Sequence, residues 1–145
     1  MFEYAAKLVC GLHRDPRDRR LMRGAYATTI NIHNPNDTEV EFRKKLALTF
    51  PPEEQKAGEV FDRIGEGPDV LGPDQALSVD CMDIERQVFQ GGLPAPYIEG
   101  FVVIQSRESL DVTAVYTTAA VDARGQLAGH SGIDVEQIPE RQKEG

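Results

Sequence analysis

Between residues 25 and 50, apolar and polar positions alternate in two runs separated by Asn34-Pro35-Asn36-Asp37. Thr28, Ile30 and Ile32 share one face before that cluster, and Val40, Phe42, Leu46, Leu48 and Phe50 share one face after it. Successive side chains of a strand point to opposite faces, so a period of two marks a half-buried strand. The residues between the runs each favour turn geometry. The pattern therefore predicts two long strands joined as a hairpin.

The same pattern recurs along the chain. Tyr4, Ala6, Leu8 and Cys10 alternate with Ala5, Lys7 and Val9, a first strand ended by Gly11. Residues 13–23, interrupted by Pro16, read as a loop. Pro51-Pro52 closes the second run of the hairpin, because neither ring can donate to a ladder. Residues 53–74 have no period and carry Gly58, Gly65, Gly67, Pro68, Gly72 and Pro73, which predicts one long loop pinned to the body by Val60, Phe61 and Ile64. Residues 75–81 form a fourth strand with Leu77, Val79 and Cys81 inward, and residues 82–89 form one or two helical turns, with Ile84 and Val88 four apart. Phe101-Val102-Val103-Ile104, apolar on both faces, places residues 97–106 centrally in a sheet. Arg107-Glu108-Ser109 then turns into residues 110–120, where Leu110, Val112, Ala114 and Tyr116 share a face, a second hairpin. A last strand covers residues 133–138 with Ile133 and Val135 inward.

These elements predict an all-β fold, an antiparallel β-sandwich of about seven strands with one long loop and at most a short helix; a barrel is the alternative. Residues 1–138 make one domain, and residues 139–145 a charged, flexible tail. A chain of 145 residues is long enough to bury a core without metals or staples.

Charge changes the picture of partners. The net charge of −8 argues against nonspecific binding to nucleic acid or anionic membrane. It is unevenly spread: Arg14, Arg17, Arg19, Arg20 and Arg23, opposed by Asp15 and Asp18, make one ten-residue stretch +3 and leave the rest at −11. No run of about 18 apolar residues predicts a membrane-spanning helix. Met1-Phe2-Glu3-Tyr4 lacks the basic start and apolar stretch of a signal peptide, which predicts a cytoplasmic protein. A chain trimmed to a mature start would look the same, leaving an extracytoplasmic location open.

Candidate chemistry is sparse. No phosphate-cradling glycine motif, zinc-binding H-E-x-x-H, nucleophile elbow or C-x-x-C occurs, and no cofactor or metal is expected. Lys44 falls on the apolar face between Phe42 and Leu46. If buried, it would lose hydration and need an acidic partner, for which Asp80 and Asp83 are the candidates. A β-bulge at residues 43–45 would turn it outward, and a snorkelling stem would carry its ammonium to the rim. Arg14, Arg17, Arg19 and Arg20 offer guanidinium groups to phosphate, sulfate, carboxylate or an acidic protein face; Arg–Asp pairing in a solvated loop is the plainer reading. His33, Asn34 and Pro35 read as turn-stabilising residues. Cys10 and Cys81 both have inward phase, which suits two buried thiols or one disulfide.

Several segments together carry a resemblance: Tyr4-Ala5-Ala6-Lys7 with Cys10-Gly11, Thr29-Ile30-Asn31-Ile32-His33-Asn34-Pro35, Phe42-Arg43-Lys44-Lys45, Asp80-Cys81-Met82-Asp83-Ile84, Gly100-Phe101-Val102-Val103-Ile104, residues 110–117 and Ile133-Asp134-Val135-Glu136. They resemble a family of small, uncharacterised bacterial β-sandwich proteins, a likeness that implies a compact β domain and carries no activity. More remotely, and by architecture only, the chain is similar to the sandwiches of sensory-rhodopsin transducer proteins, which are small oligomeric binding modules. The functional expectation is a non-enzymatic interaction or assembly module acting on itself or another protein. The alternatives are an anion-binding protein using the arginine loop and an enzyme built around Lys44.

Overall fold

The structure is a computed structural model and describes residues 1–49 and 55–144. In chain order the elements are β1 (Phe2–His13), β2 (Gly24–His33), β3 (Val40–Thr49), β4 (Ala57–Phe61), β5 (Asp69–Leu71), β6 (Ala76–Asp80), α1 (Cys81–Gln87), β7 (Tyr97–Ser106), β8 (Asp111–Val121), β9 (Leu127–Gln137) and β10 (Arg141–Gln142). Every strand pairing is antiparallel, and the path β4-β3-β7-β1-β2-β8-β9 does not close on itself. The fold is all-β and sandwich-like.

Two layers arise because β2 changes neighbours. Its whole length pairs with β8 on one edge. On the other edge Gly24–Tyr26 meet β1, whereas Thr29–His33 meet β6. With both edges of β2 taken, β1 leaves the sheet and runs with β7 instead, from Phe2↔Ser106 to Gly11↔Tyr97. One layer is β1-β7-β3 with β4 and β5; the other is β6-β2-β8-β9. Thr28 sits where they part. Its hydroxyl accepts a hydrogen bond from Val9 N and donates one to Val9 O, each 3.0 Å, satisfying a stretch of β1 that has no strand on that side. Gly11 bends β1 at φ +125°, and a Cβ there would come within 2.3 Å of Pro96 O.

The core lies between the layers. Tyr4, Ala6, Leu8 and Cys10 of β1 are at most 1% exposed, and Ile30, Ile32, Phe42, Leu46, Val102 and Ile104 bury the matching faces. The alternation expected for these strands holds within the described residues; Phe50, Pro51 and Pro52 lie outside them.

Both expected hairpins are corrected. β2 and β3 are not neighbours, and neither are β7 and β8. Each pair is split between the layers, so residues 34–39 and 107–110 are arches from one layer to the other. The turn chemistry is present, but the strand edges it would have joined are already occupied. Asn34, fully buried, holds the first arch: its Nδ2 lies 2.9–3.0 Å from the carbonyls of Thr38, Leu71 and Gly72. Its Oδ1 accepts from Asn36 N and Nδ2.

Other expectations also change. The long loop contains β4 and β5, which cover the outer edge of β3; Ile64 is buried as expected, while Val60 is 58% exposed. Cys81 begins α1 rather than ending a strand, because Asp80 caps the helix and Asp83 reciprocates, a capping box. Ile133 and Val135 point outward, not inward. The charged tail is paired: β10 meets Phe2 and Glu3, and Glu140 accepts a 2.6 Å hydrogen bond from the Tyr4 phenol. Cys10 and Cys81 form a disulfide and not two thiols, with Cα atoms 5.7 Å apart.

Candidate functional site

One open edge that also exposes an apolar pair is at β9. It pairs with β8 from Thr113↔Gln137 to Val121↔Leu127, with a register shift between Ala119 and Val121. No strand borders its other edge among the described residues. Period two puts Asp134 and Glu136 on the face of Tyr116 and Ala114, and Ile133 and Val135 on the opposite face with Thr117 and Val115. Residues 131–137 are all exposed, Ile133 at 72% and Val135 at 64%. Ile133 and Val135 lie on the outer face of their layer, and beside them Thr117 and Thr118 of β8 are exposed as well. The β8–β9 pair forms the border of this layer, a wing on which Ile133 and Val135 are open to solvent.

Two shallow troughs flank the wing. One of about 400 Å³ is bounded by Ala25, Ala27, Thr117, Ala119 and Ile133. The other, about 280 Å³, lies between Lys7 and Val9 of β1 and Tyr26, Tyr116 and Glu136. Tyr116 Oη is buried there without a hydrogen-bond partner of good geometry among the described residues. Burial, then the Glu136 and Asp134 carboxylates, raise its pKa. Lys7 is drawn away from this trough, with Nζ 3.2 Å from Glu99 and 5.3 Å from the Phe101 ring centre.

The arginines do not converge. Asp18 organises their loop: Arg20 donates from Nε at 3.0 Å and Nη2 at 2.7 Å to its two oxygens. The Tyr97 phenol also donates to Asp18, and the guanidinium stacks 5.0 Å from the Tyr97 ring. His13, buried, contacts the same ring and places Nε2 2.9 Å from the Asp18 carbonyl. The Arg20 bonds above all, with the Tyr97 phenol, hold Asp18 well below the usual carboxylate range; burial, then the bond to Asp18, pushes Tyr97 up. Arg17 pairs with Asp15 at 3.4 Å in open solvent, a contact of little energetic weight. Arg14 lies against Gly125 of the β8–β9 turn, and Arg19 is exposed.

Lys44 does point inward. The β3–β7 register is unbroken from Phe42↔Ser106 to Leu48↔Gly100, which excludes a bulge, and its side chain is 7% exposed. Its partner is Asp69 of β5 rather than Asp80 or Asp83, both committed to the α1 cap. Nζ lies 3.0 Å from Asp69 Oδ2, an ion pair by distance whose angles fall short of a hydrogen bond. Asp69 sits on a three-residue strand that a sequence dense in glycine and proline does not announce.

His33 is clasped on both sides, Nδ1 2.8 Å from Asp111 Oδ2 and Nε2 3.2 Å from Asp74 Oδ1. A neutral imidazole carries one N–H, so only the imidazolium donates to both carboxylates. The Asp111 hydrogen bond leads the raising of its pKa. No group of three His, Cys, Asp or Glu residues among those described is arranged to hold a metal ion.

No protein-family model matches the chain, and none of the functionally described proteins compared with it does. The crystal structure of Thermotoga maritima 1070 is similar over 94% of this chain and 91% of that one, with a TM-score of 0.50 and 10% sequence identity. At that identity the likeness is one of fold: this chain shares a β architecture with a bacterial protein.

Proposed function

We propose that the protein is a non-enzymatic interaction module that assembles through the β8–β9 wing, with copies of itself or with another protein. The supporting observation is β9: an open-edged strand of 11 residues with Ile133 and Val135 turned to solvent. A long open edge with an exposed apolar pair on one face invites strand addition, even with Asp134 and Glu136 on the other face. Main-chain hydrogen bonds would extend the sheet, and the apolar pair would sit beneath the incoming chain. Sedimentation across a range of concentrations tests this. Self-association should appear in the wild type and be lost on Ile133→Lys or Val135→Lys. A strictly monomeric wild type at high concentration removes self-assembly, and association unchanged in both variants removes this surface.

The alternatives draw on narrower sets of residues. Anion binding at the loop would rest on Arg14, Arg17 and Arg19, since Arg20 is held by Asp18. Unchanged phosphate binding after alanine replacement of the three ends that reading. A role for Lys44 in catalysis would act with Asp69, and an ordinary Lys44 titration by NMR would end it.

A further inference from the structure

The two cysteines are 71 positions apart, and the structure joins them. Cys10 lies on β1 in one layer, fully buried. Cys81 opens α1, directly after β6 in the other layer. The bridge sits beside the switch point of β2, where the Thr28 N–H approaches Cys81 Sγ at 3.3 Å and the Thr28 hydroxyl binds Val9. It therefore ties the layers where strand pairing between them ceases. No third cysteine exists to reshuffle it. A largely buried disulfide without a resolving thiol is a staple, in contrast to the exposed, low-pKa sulfurs of redox sensors.

We propose that this staple is installed in an oxidising compartment and that the protein works outside the reducing cytosol. Cytosolic thiol pools keep ordinary cysteines reduced, and structural disulfides accumulate where those pools are absent. The chemistry needs an oxidant, here a dithiol–disulfide exchange protein. The Cys81 thiolate, the more accessible of the two, attacks one sulfur of the oxidant's disulfide, giving a mixed disulfide and releasing one thiol of the oxidant. The Cys10 thiolate then attacks the Cys81 sulfur and expels the second. Two protons and two electrons leave the chain, and the oxidant's disulfide is reduced to two thiols. The inference is independent of what docks on β9.

The test uses the native protein in its own cells. Thiols are trapped by acid quenching, labelled with a maleimide-linked polymer before and after reduction, and followed through cell fractionation. The expected result is no label before reduction, label on both cysteines after it, and recovery in the extracytoplasmic fraction. Label before reduction, or oxidised protein recovered from the cytosol, overturns the proposal. The purified C10A/C81A double variant tests the staple separately. Its melting temperature should fall by roughly 10 °C, as loop-closure entropy implies for a chain of this size; an unchanged melting temperature shows that the bond ties nothing together.

Discussion

Along β1, Tyr4, Ala6, Leu8 and Cys10 are each at most 1% exposed, whereas along β9 Ile133 and Val135 are 72% and 64% exposed. Both strands are long and both alternate. In β1 the apolar phase meets a second layer, and its polar phase, Lys7 among it, lies outside. In β9 the acidic phase, Asp134 and Glu136, takes the inner side, and the apolar phase is left to solvent. The difference lies in what stands opposite. β1 faces the layer of β2, β6 and β8 and is bound to it by Thr28 and by the disulfide. β9 turns Glu136 toward Lys7 and Val9 of β1, and its Ile133 and Val135 lie on the other face of the layer, exposed. An alternating pattern thus selects residues that share a face without saying which side of the sheet that face becomes.

The contrast can be broken from the β1 side first. Reducing the disulfide should cost about 4 kcal/mol for a loop of this length on the chain-entropy account. Urea unfolding with and without reductant measures it, and coincident curves would show that β1 needs no staple. Next, Leu8→Ala should destabilise by about 3 kcal/mol, since Leu8 is fully enclosed. A loss no larger than that of Val135→Ala would remove the distinction between the strands. Thr28→Val leaves the Val9 amide and carbonyl without their partner, and about 1–3 kcal/mol should be lost in the same assay.

The smaller effects lie at the rim and on the wing. His33 has a raised pKa, so its contribution to stability is complete below the unfolded value near 6.5 and is lost as pH rises through the higher folded value. The melting temperature of the wild type minus that of His33→Gln should therefore shrink between mildly acidic and mildly alkaline pH. A difference that grows with pH contradicts the clasp. The smallest change is expected for Val135→Ala in the isolated chain, within about 0.5 kcal/mol, because little of that side chain is buried. A large loss by denaturation at low protein concentration would mean that β9 is covered within the monomer.

Much of the strand content was legible from alternation; for Lys44 parity raised an inward aim beside a bulge and a snorkelling stem, and only the unbroken β3–β7 register decided between inward and bulged. The partner of Lys44 was not legible. Asp69 reaches it from a three-residue strand amid glycines and prolines, while the nearer-seeming Asp80 and Asp83 go to the helix cap. Asn34 and the residues around it were recognisable as a turn, yet the same chemistry reverses a chain within a sheet or carries it between sheets. The arginine cluster was visible as charge, but not the pairing of Arg20 with Asp18 beneath Tyr97, a residue 79 positions from Asp18. For β9, Ile133 and Val135 alternate with acids as a half-buried strand would, and nothing local marks them as exposed.

By itself the amino-acid order determined where strands run, which residues share a face and where the chain turns, because backbone geometry and turn preference act over a few residues. Only the tertiary structure decided which strands are neighbours, which face is the inside, and that Cys10 and Cys81 meet. Those outcomes depend on which edges remain open once β2 has taken β8 and then β6, and that competition is between segments far apart in the chain.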